Sequence, residues 1–327
     1  MITSLDRVVE AVLAQYDVSP DATVSLVNVS ENTTYRVNDP RTGLSAALRV
    51  HRPNYHSRAD IESELLWIDA LRQSGVVNPP VPIAARDGSR VRTVDVEGGP
   101  ARHAVLFEWL PGSAPGTNAD LVPSFGVLGA LAAKMHVHGS TWRRPAHFQR
   151  FTCDDEAALG HKALWGRWQL GRGLGPQERD ILGRADAEIR RRLAEYGRSR
   201  ERFGLAHNDL RLANLLFDDD DLYVIDYDDC GFAWYMYDFA TAVSFIEDDP
   251  LVGDWMQAWL DGYAAHRPLS KPDRGILPTL ILMRRLLLVG WVGSHYEYAA
   301  EARELGAAYT AGACRIAEDY LAGRFLQ

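Results

Sequence analysis

Cysteine is scarce in this chain of 327 residues, and the cysteines it has form no pattern. Cys153, Cys230 and Cys314 are odd in number and far apart, and no Cys-x-x-Cys pair occurs. A disulfide framework or a zinc site is therefore not indicated, because both need paired thiols. We expect the three thiols to be small buried hydrophobes of a protein in a reducing compartment.

Long hydrophobic runs are lacking as well. The longest apolar stretch, residues 277–291, is interrupted by Arg284 and Arg285, and we expect it to fall short of a membrane span. Residues 1–16 have the pattern of an amphipathic helix with acidic residues, without the basic start and apolar block of a secretory signal. The sequence therefore predicts a cytoplasmic protein that has no membrane partner.

Positive charge is in short supply, since 35 Lys and Arg stand against 44 Asp and Glu for a formal net charge of -9. A nucleic-acid partner is not expected, because such proteins need clustered cations to neutralise phosphates. Internal repeats and low-complexity segments are also missing. What is present is the balance of a globular protein, with 46% hydrophobic and 24% charged residues, at a length that fits two packed lobes.

The N-terminal third has the pattern of an antiparallel sheet with one inserted helix. Short segments rich in Val, Thr and Leu, separated by Asn, Asp, Pro and Gly, predict strands. Apolar residues at helical spacing, closed by Gly75, predict a helix over residues 59–74. The strands are expected at residues 23–29, 33–38, 44–50, 90–96 and 103–108.

The rest of the chain is mainly helical in period, for example over residues 121–138 and 177–195. One β-hairpin is predicted inside it at residues 215–225, with the acidic run 218–221 as its solvated turn. The fold class is therefore α+β. We predict an N-terminal lobe of residues 1–110 and a mainly α-helical lobe of residues 111–327, and the oligomeric state stays open.

The stretch HNDLRLANLLFDDDDLYVIDYDD, residues 207–229, carries the most chemical information. It places Asp209 and Asn214 in a loop and Asp226 at the end of the predicted hairpin. Phosphoryl transfer needs a carboxylate that orients the acceptor hydroxyl, and oxygen ligands for Mg²⁺. Asp209 suits the first role, and Asn214 with Asp226 suits the second.

The order His207-x-Asp209-x-x-x-x-Asn214 followed by Asp226 resembles the catalytic loop and metal aspartate of the aminoglycoside phosphotransferase and choline kinase group, relatives of the protein kinases. Weaker matches follow the same order along the chain: ENTTYRV, LRVHRP, IESELLWIDAL, FEWLPG and YDFA. The resemblance implies a two-lobed protein-kinase-like fold, in which residues 1–110 are the nucleotide-binding lobe and residues 111–327 are the catalytic and substrate-binding lobe. It also implies transfer of the γ-phosphate of ATP, with Mg²⁺, to a hydroxyl of a small aminoglycoside-, choline- or homoserine-like acceptor, although ATP and GTP are not distinguished.

Nucleotide-binding roles also follow from the resemblance. The turn between the first two strands corresponds to the phosphate-covering turn, where Ser30, Asn32 and Thr33 would meet the phosphates. Unlike the protein-kinase loop, this turn has no glycine. The segment from Glu108 to Leu110 corresponds to the hinge, whose backbone binds the adenine edge.

Two arginines occupy positions of interest in the same comparison. Arg49 stands where the family usually has a lysine that reaches the α- and β-phosphates, and its expected ion-pair partner is Glu64, with Glu62 as the runner-up. A planar guanidinium does not reproduce a compact ammonium, but it pairs well with phosphate and carboxylate. Arg211 corresponds to a basic residue that faces the transferred phosphate.

Two alternatives to a small-molecule kinase remain open at this stage. The fold is shared by protein Ser/Thr kinases of the bacterial stress-response type. The replacement at Arg49 also leaves room for a nucleotide-binding pseudokinase, although Asp209, Asn214 and Asp226 are all intact.

Supporting roles are expected around the predicted catalytic loop. His207 is expected to support the loop through backbone hydrogen bonds, and Asp238 to pin it as a buried residue. Asp228 and Asp229 either assist the metal or have a solvated or capping role. His136, near the end of an apolar helix, is expected to cap or to pack.

The acceptor site is the least defined part of the sequence. Aromatic residues and two arginines on the C-terminal helices either line an acceptor pocket or form the core of the lobe. An acidic run before Pro250 either attracts a cationic acceptor or is a solvated turn. These residues are Trp255, Trp259, Trp291, Tyr296, Arg284 and Arg285, and Glu247, Asp248 and Asp249.

Overall fold

A computed structural model describes residues 4–29, 32–116, 120–219, 221–297 and 299–326. The chain divides into two compact units. The first comprises Met1–Ser113, Arg144–Arg150 and Leu216–Asp228, and the second comprises Ala114–Arg143, Phe151–Leu215 and Asp229–Gln327. Arg144–Arg150 and Leu216–Asp228 thus belong to the first unit. A single boundary between residues 110 and 111 does not account for these two segments. The division into a nucleotide-binding and a catalytic lobe stays a prediction.

The predicted strands and helices occur in the predicted order, but the structure adds three short strands that the sequence did not predict, at Pro82–Ile83, Phe203–Ala206 and Gly231–Trp234. The last two pair with each other in a two-stranded sheet of the second unit, separate from the predicted hairpin. The strands are β1 (Thr23–Val29), β2 (Thr33–Asp39), β3 (Leu44–Val50), β4 (Pro82–Ile83), β5 (Val91–Val94), β6 (Arg102–Glu108), β7 (Phe203–Ala206), β8 (Leu215–Asp218), β9 (Asp221–Val224) and β10 (Gly231–Trp234). The helices are α1 (Ser4–Leu13), α2 (Arg58–Ser74), α3 (Val122–Thr141), α4 (Asp155–Leu159), α5 (Pro176–Tyr196), α6 (Tyr237–Ala242), α7 (Val252–Ala264), α8 (Lys271–Gly275), α9 (Leu277–His295) and α10 (Ala300–Leu321). The predicted α+β class is confirmed.

The main sheet of the first unit is antiparallel in the order β1-β2-β3-β6, and β4 and β5 share the far edge of β6. Its inner face is apolar because alternate residues of a strand point to the same side. Tyr35 and Val37 on β2, and Ala46 and Leu48 on β3, are all buried. Helix α1 packs its apolar residues, among them Val12, into the same core.

Helix α2 begins and ends on strong local signals. The Ser57 hydroxyl accepts from the backbone N–H of Asp60, whose carboxylate accepts in return from the Ser57 backbone N–H. Gly75 ends the helix with φ 66°, a conformation that glycine adopts without steric cost. The buried face of α2 carries one carboxylate, Glu64, whose exposure is 0%.

The second unit packs two helices at very short range. A Cβ at Gly129 of α3 would lie 2.0 Å from the carbonyl oxygen of Trp259 on α7. A Cβ at Gly262 of α7 would lie 2.0 Å from the carbonyl oxygen of Gly126 on α3. Both positions therefore require glycine for the helices to approach this closely.

Helix α9 forms the centre of the second unit. The segment Lys271–His295 is long and apolar enough to cross a membrane by length and composition, but 89% of its most apolar part is buried inside the protein. This is the environment of a core helix. Arg284 and Arg285 on α9 are buried too, with exposures of 6% and 2%, and each has carboxylate partners.

Candidate active site

A buried carboxylate fixes the backbone of the predicted catalytic loop. Asp238, at 0% exposure, accepts hydrogen bonds from the backbone N–H groups of His207 (3.3 Å) and Asn208 (2.8 Å). Thr241 accepts from the N–H of Leu210 at 3.1 Å. Asn208 has φ 65°, which asparagine tolerates better than most residues. The loop conformation is therefore set by α6, as expected for Asp238.

His207 supports the loop through a ring nitrogen. Its Nδ1 accepts from the backbone N–H of Asp209 at 3.3 Å, and the side chain is completely buried. This geometry agrees with a structural role for His207.

His136 extends this network further than its sequence position indicated. Its Nε2 lies 2.9 Å from the Asp238 carboxylate and its Nδ1 lies 3.0 Å from the hydroxyl of Tyr263. Arg267 donates to that hydroxyl at 2.8 Å. His136 therefore joins α3 and α7 to the loop through Asp238, a carboxylate 102 residues away in sequence.

The Asp209 carboxylate lies between two guanidinium groups. Arg284 donates from Nη2 to Oδ1 at 2.9 Å, and Arg211 donates from Nε to Oδ2 at 3.3 Å. Asn214 donates from Nδ2 to the backbone oxygen (2.8 Å) and to Oδ2 (3.1 Å) of Asp209. Burial alone would raise the pKa of Asp209, but Arg211 and Arg284, together with His207 and the hydrogen bond from Asn214, lower the pKa below its ordinary value.

Adjacent arginines of α9 reach different partners. Besides Asp209, Arg284 donates to the hydroxyls of Ser244 (3.0 Å) and Tyr237 (3.4 Å). Arg285 donates to Glu247 at 2.5 Å, and Glu247 also accepts from the Tyr309 hydroxyl at 2.9 Å. Glu247 is 1% exposed, so neither a solvated turn nor an open site for a cationic acceptor describes this residue.

Phe245 lies between Ser244, which Arg284 contacts, and Glu247, which Arg285 contacts, and its backbone has φ 72°. An aromatic L-residue rarely adopts this region, and holding it there costs about 1–3 kcal/mol. The ring is half-buried, and the guanidinium carbon of Arg211 lies 5.7 Å from the ring centroid. Sequence patterns do not reveal such strain, because it arises from long-range contacts.

The predicted ion pair of the first unit is present. Arg49 on β3 donates from Nη2 to both carboxylate oxygens of Glu64, each at 2.7 Å. The runner-up Glu62 instead pairs with Arg58 on the exposed side of α2, at 2.7 Å. Burial opposes the charge of Arg49, but Glu64, Asp228 and Asp226 raise the pKa of the guanidinium above its ordinary value.

Asp228 is neither a solvated residue nor a turn cap. It is 4% exposed, and its Oδ2 accepts from Nδ2 of Asn32 at 2.7 Å. Nδ1 of His51 lies 3.4 Å from Oδ1, and Nε2 of His56 lies 3.6 Å from Oδ2. Burial would raise the pKa of Asp228, but Arg49 and the two histidines hold it well below its ordinary range.

Asp226 is placed after β9 with φ 63°, and its side chain is 46% exposed. Nη1 of Arg49 lies 3.9 Å from its Oδ1. The first unit therefore brings together Arg49, Glu64, Asp226 and Asn32 of the predicted residues. The second unit brings together Asp209, Arg211 and Asn214.

The other predicted nucleotide-binding residues lie along the sheet. Thr33 opens β2 opposite Val50, whereas Ser30 falls outside the described residues. Glu108 ends β6, and its N–H donates to the carbonyl of Val81 at 2.9 Å. Leu110 follows in the connection after β6. The binding roles of these residues stay predictions.

The aromatic residues of the C-terminal helices divide into two groups. Trp255 and Trp259 are buried core residues, and Trp255 stacks on Phe125 with ring centroids 5.1 Å apart. Trp291 packs its ring edge against Phe245 at 6.1 Å. Of these two ring contacts, the one between Trp291 and Phe245 lies beside Arg211, whose guanidinium carbon is 5.7 Å from the Phe245 ring centroid.

Comparison with known proteins identifies the family. The sequence profile of the phosphotransferase enzyme family matches residues 24–269, three quarters of the chain. The chain belongs to this family. A solved structure of a microcompartment-associated aminopropanol kinase is 45% identical, with TM-score 0.90, over 98% of this chain and 99% of that one.

Two amicoumacin kinases are more distant relatives. The enzyme of Bacillus subtilis strain 168 is 22% identical over 89% of this chain and 86% of its own length. A structure of the amicoumacin kinase hAmiN, in complex with AMP-PNP, Ca²⁺ and Ami, is 20% identical with TM-score 0.79, over 98% of this chain and 94% of that one. The predicted family, kinase-like fold and small-molecule phosphotransferase activity are confirmed for this enzyme.

Proposed function

We propose that this phosphotransferase moves the γ-phosphate of ATP, with Mg²⁺, to the hydroxyl of a small amino alcohol of the aminopropanol class, in the cytoplasm. The observation that carries the proposal is the 45% identity to an aminopropanol kinase over nearly the full length of both chains. Identity at this level, together with the ordered loop around Asp209, favours a small acceptor over a protein substrate or a pseudokinase.

Asp209 is proposed to orient the acceptor hydroxyl. Its carboxylate stays ionised because Arg211 and Arg284 lower its pKa against the effect of burial. An ionised carboxylate accepts a hydrogen bond from the hydroxyl and aims the oxygen at the γ-phosphorus. The proton of the hydroxyl would pass to this carboxylate as the new oxygen–phosphorus bond forms and the bond between the γ-phosphorus and the β,γ-bridging oxygen breaks, with ADP as the leaving group.

Cationic side chains are proposed to stabilise the phosphates. Arg211 would face the transferred phosphoryl group, and Arg49, held by Glu64, would reach the other phosphates. Ser30, Asn32 and Thr33 would cover the phosphates. The backbone from Glu108 to Leu110 would bind the adenine.

Asn214 and Asp226 are proposed to ligate the Mg²⁺ ion. Both supply oxygen, the element that Mg²⁺ prefers. The two hydrogen bonds of Asn214 use its nitrogen, so its side-chain oxygen is the atom suited to a cation. Asp226 offers a carboxylate that is 46% exposed. When bound, Mg²⁺ would offset the negative charge of the phosphates.

The proposal is tested by following ADP release with a panel of hydroxyl compounds. We expect the wild type to phosphorylate aminopropanol, with ethanolamine and choline as weaker acceptors, and EDTA to abolish turnover. Asp209→Asn should lower kcat by about a hundredfold or more while nucleotide binding, followed by the melting temperature, persists. Turnover of a larger hydroxylated antibiotic in preference to every amino alcohol would overturn the acceptor class, and wild-type kcat in Asp209→Asn would overturn the mechanism.

A further inference from the structure

We propose that Phe245 determines the size of the acceptor that this enzyme accepts, and that the Arg284–Arg285 pair of α9 holds Phe245 in place for this purpose. The inference rests on the proposed function, since it assigns a specificity residue to the acceptor side of Asp209.

The strained backbone of Phe245 is the first observation. Its φ of 72° lies in the left-handed region, whereas most other described non-glycine residues with positive φ are Asn or Asp. Asn and Asp populate this region readily, but a bulky aromatic residue persists there only where its surroundings enforce the conformation. Strain of this kind is typical of ligand-contacting positions.

The surroundings that enforce it are two buried arginines. Arg284 donates to the hydroxyl of Ser244, the residue before Phe245, at 3.0 Å. Arg285 donates to Glu247, two residues after it, at 2.5 Å. The segment that carries Phe245 is thus fixed on both sides from one rigid core helix.

The direction of the ring is the second observation. The Arg211 guanidinium carbon lies 5.7 Å from the ring centroid, and Nε of the same guanidinium lies 3.3 Å from the Asp209 carboxylate. A single guanidinium therefore separates the ring from the catalytic carboxylate. Trp291 and Tyr309 contact the ring at centroid distances of 6.1 Å and 5.9 Å and limit its movement.

A rigid, half-exposed aromatic ring at this distance acts as a wall for the carbon skeleton of the acceptor. The same helix that orients Asp209 through Arg284 also positions this wall. The separation between the reacting hydroxyl and the far end of the acceptor is therefore fixed by α9. One carbon more or less in such a site changes kcat/KM by about 10- to 200-fold.

The experiment compares Phe245→Ala, Phe245→Gly and Phe245→Leu with the wild type, using aminopropanol and ethanolamine, which differ by one carbon. Phe203→Ala is the matched control. Phe203 is also half-buried and lies 5.4 Å from an arginine, Arg198, but belongs to the regular strand β7. Acceptor KM, ATP KM, kcat and melting temperature are measured for each variant.

We expect Phe245→Ala to raise the KM for aminopropanol about tenfold or more and to reduce the preference over ethanolamine by a similar factor, with the ATP KM unchanged. Phe245→Leu should have a KM for aminopropanol and a preference over ethanolamine that lie between those of Phe245→Ala and the wild type. Phe245→Gly should melt above Phe245→Ala, because glycine adopts this φ without strain. Phe203→Ala should lower the melting temperature and leave both KM values unchanged.

Two results would overturn the inference: unchanged acceptor KM and selectivity in Phe245→Ala, or ATP and acceptor KM values that rise together. If the wild type phosphorylates no amino alcohol, the proposed function fails separately. Phe245 is then judged by the same KM comparison on whichever hydroxyl compound of the panel the wild type does phosphorylate.

Discussion

Arg284 donates a hydrogen bond of 2.9 Å to the carboxylate of Asp209, although 75 residues separate them in sequence. Arg284 is itself held by Ser244 and Tyr237 and is 6% exposed. Asp209 is therefore positioned by a core helix as well as by its own loop. A misplaced orienting carboxylate is costly, because displacements near 1 Å reduce rates by about a hundredfold.

Replacing Arg284 should reduce catalysis more than nucleotide binding. We expect Arg284→Met to lower kcat about 10- to 100-fold, since Asp209 keeps Arg211 and Asn214 but loses one of its fixed donors. Arg284→Lys should lower kcat less than Arg284→Met does. Added guanidinium ion should restore part of the kcat of Arg284→Met. Steady-state kinetics give the result. Arg184→Met, in an exposed pair with Asp180, is the control. Wild-type kcat in Arg284→Met would contradict this assignment.

Arg49 should matter for stability as well as for phosphate binding. Arg49→Met leaves Glu64, at 0% exposure, and Asp228, at 4%, without their shared cation. Loss of one partner of a buried ion pair costs about 3–5 kcal/mol in the free energy of unfolding. Arg49→Lys should cost less because the charge remains. Urea unfolding provides the measurement.

The control for Arg49 is Arg58→Met, which removes the exposed pair with Glu62. Exposed pairs contribute about 0–1 kcal/mol, so this variant should unfold close to the wild type. Equal decreases in the free energy of unfolding in Arg49→Met and Arg58→Met would show that the buried ion pair contributes no more to stability than the exposed one.

The close approach of α3 and α7 predicts opposite effects on stability for Gly→Ala substitutions at two positions of α7. Gly262→Ala places a Cβ 2.0 Å from the carbonyl oxygen of Gly126 and should destabilise by about 1–3 kcal/mol. Gly253→Ala meets nothing within 4 Å and should stabilise by about 0.5–1 kcal/mol. Thermal unfolding of both variants decides the sign, and stabilisation by Gly262→Ala would disprove the packing described.

Cys153 should make the fold sensitive to alkali. Burial raises the pKa of its thiol from 9.0 to about 12. The unfolded thiol ionises first, so the contribution to stability is complete below about pH 9 and is lost as the pH rises towards 12. Close to pH 9, where tyrosines of ordinary pKa are still mostly protonated, the free energy of unfolding should fall by up to about 1.4 kcal/mol per pH unit. Urea unfolding of Cys153→Ala should show a shallower fall; an identical slope would rule out this thiol as the cause.

Local patterns sufficed for much of the fold and for part of the site. The longer strands, the hairpin of β8 and β9, and α2 follow from alternation, turn residues and capping, which act within a few residues, whereas β4, β7 and β10 were not predicted. The Arg49–Glu64 pair followed from the family resemblance, and Glu64 was preferred to Glu62 because the two lie on different faces of α2. The structural role of Asp238 followed from its apolar neighbours.

Contacts between distant segments were beyond this kind of inference. Glu247 belongs to an acidic run that looks solvated, yet Arg285 and Tyr309 bury it. The same applies to Asp228, whose partners Asn32, His51 and His56 come from the start of the chain. Burial of a charge depends on which segments meet, and spacing along the chain does not encode that.

The guanidinium at position 49 has a consequence for how enzymes of this kind are detected. Nucleotide probes that transfer an acyl group react with a lysine amine beside the phosphates, and a guanidinium with a raised pKa is not acylated. The chain has three lysines, Lys134, Lys162 and Lys271, and β3 contains none of them. With Arg49 in its proposed position beside the phosphates, activity surveys based on amine labelling would pass over this kinase.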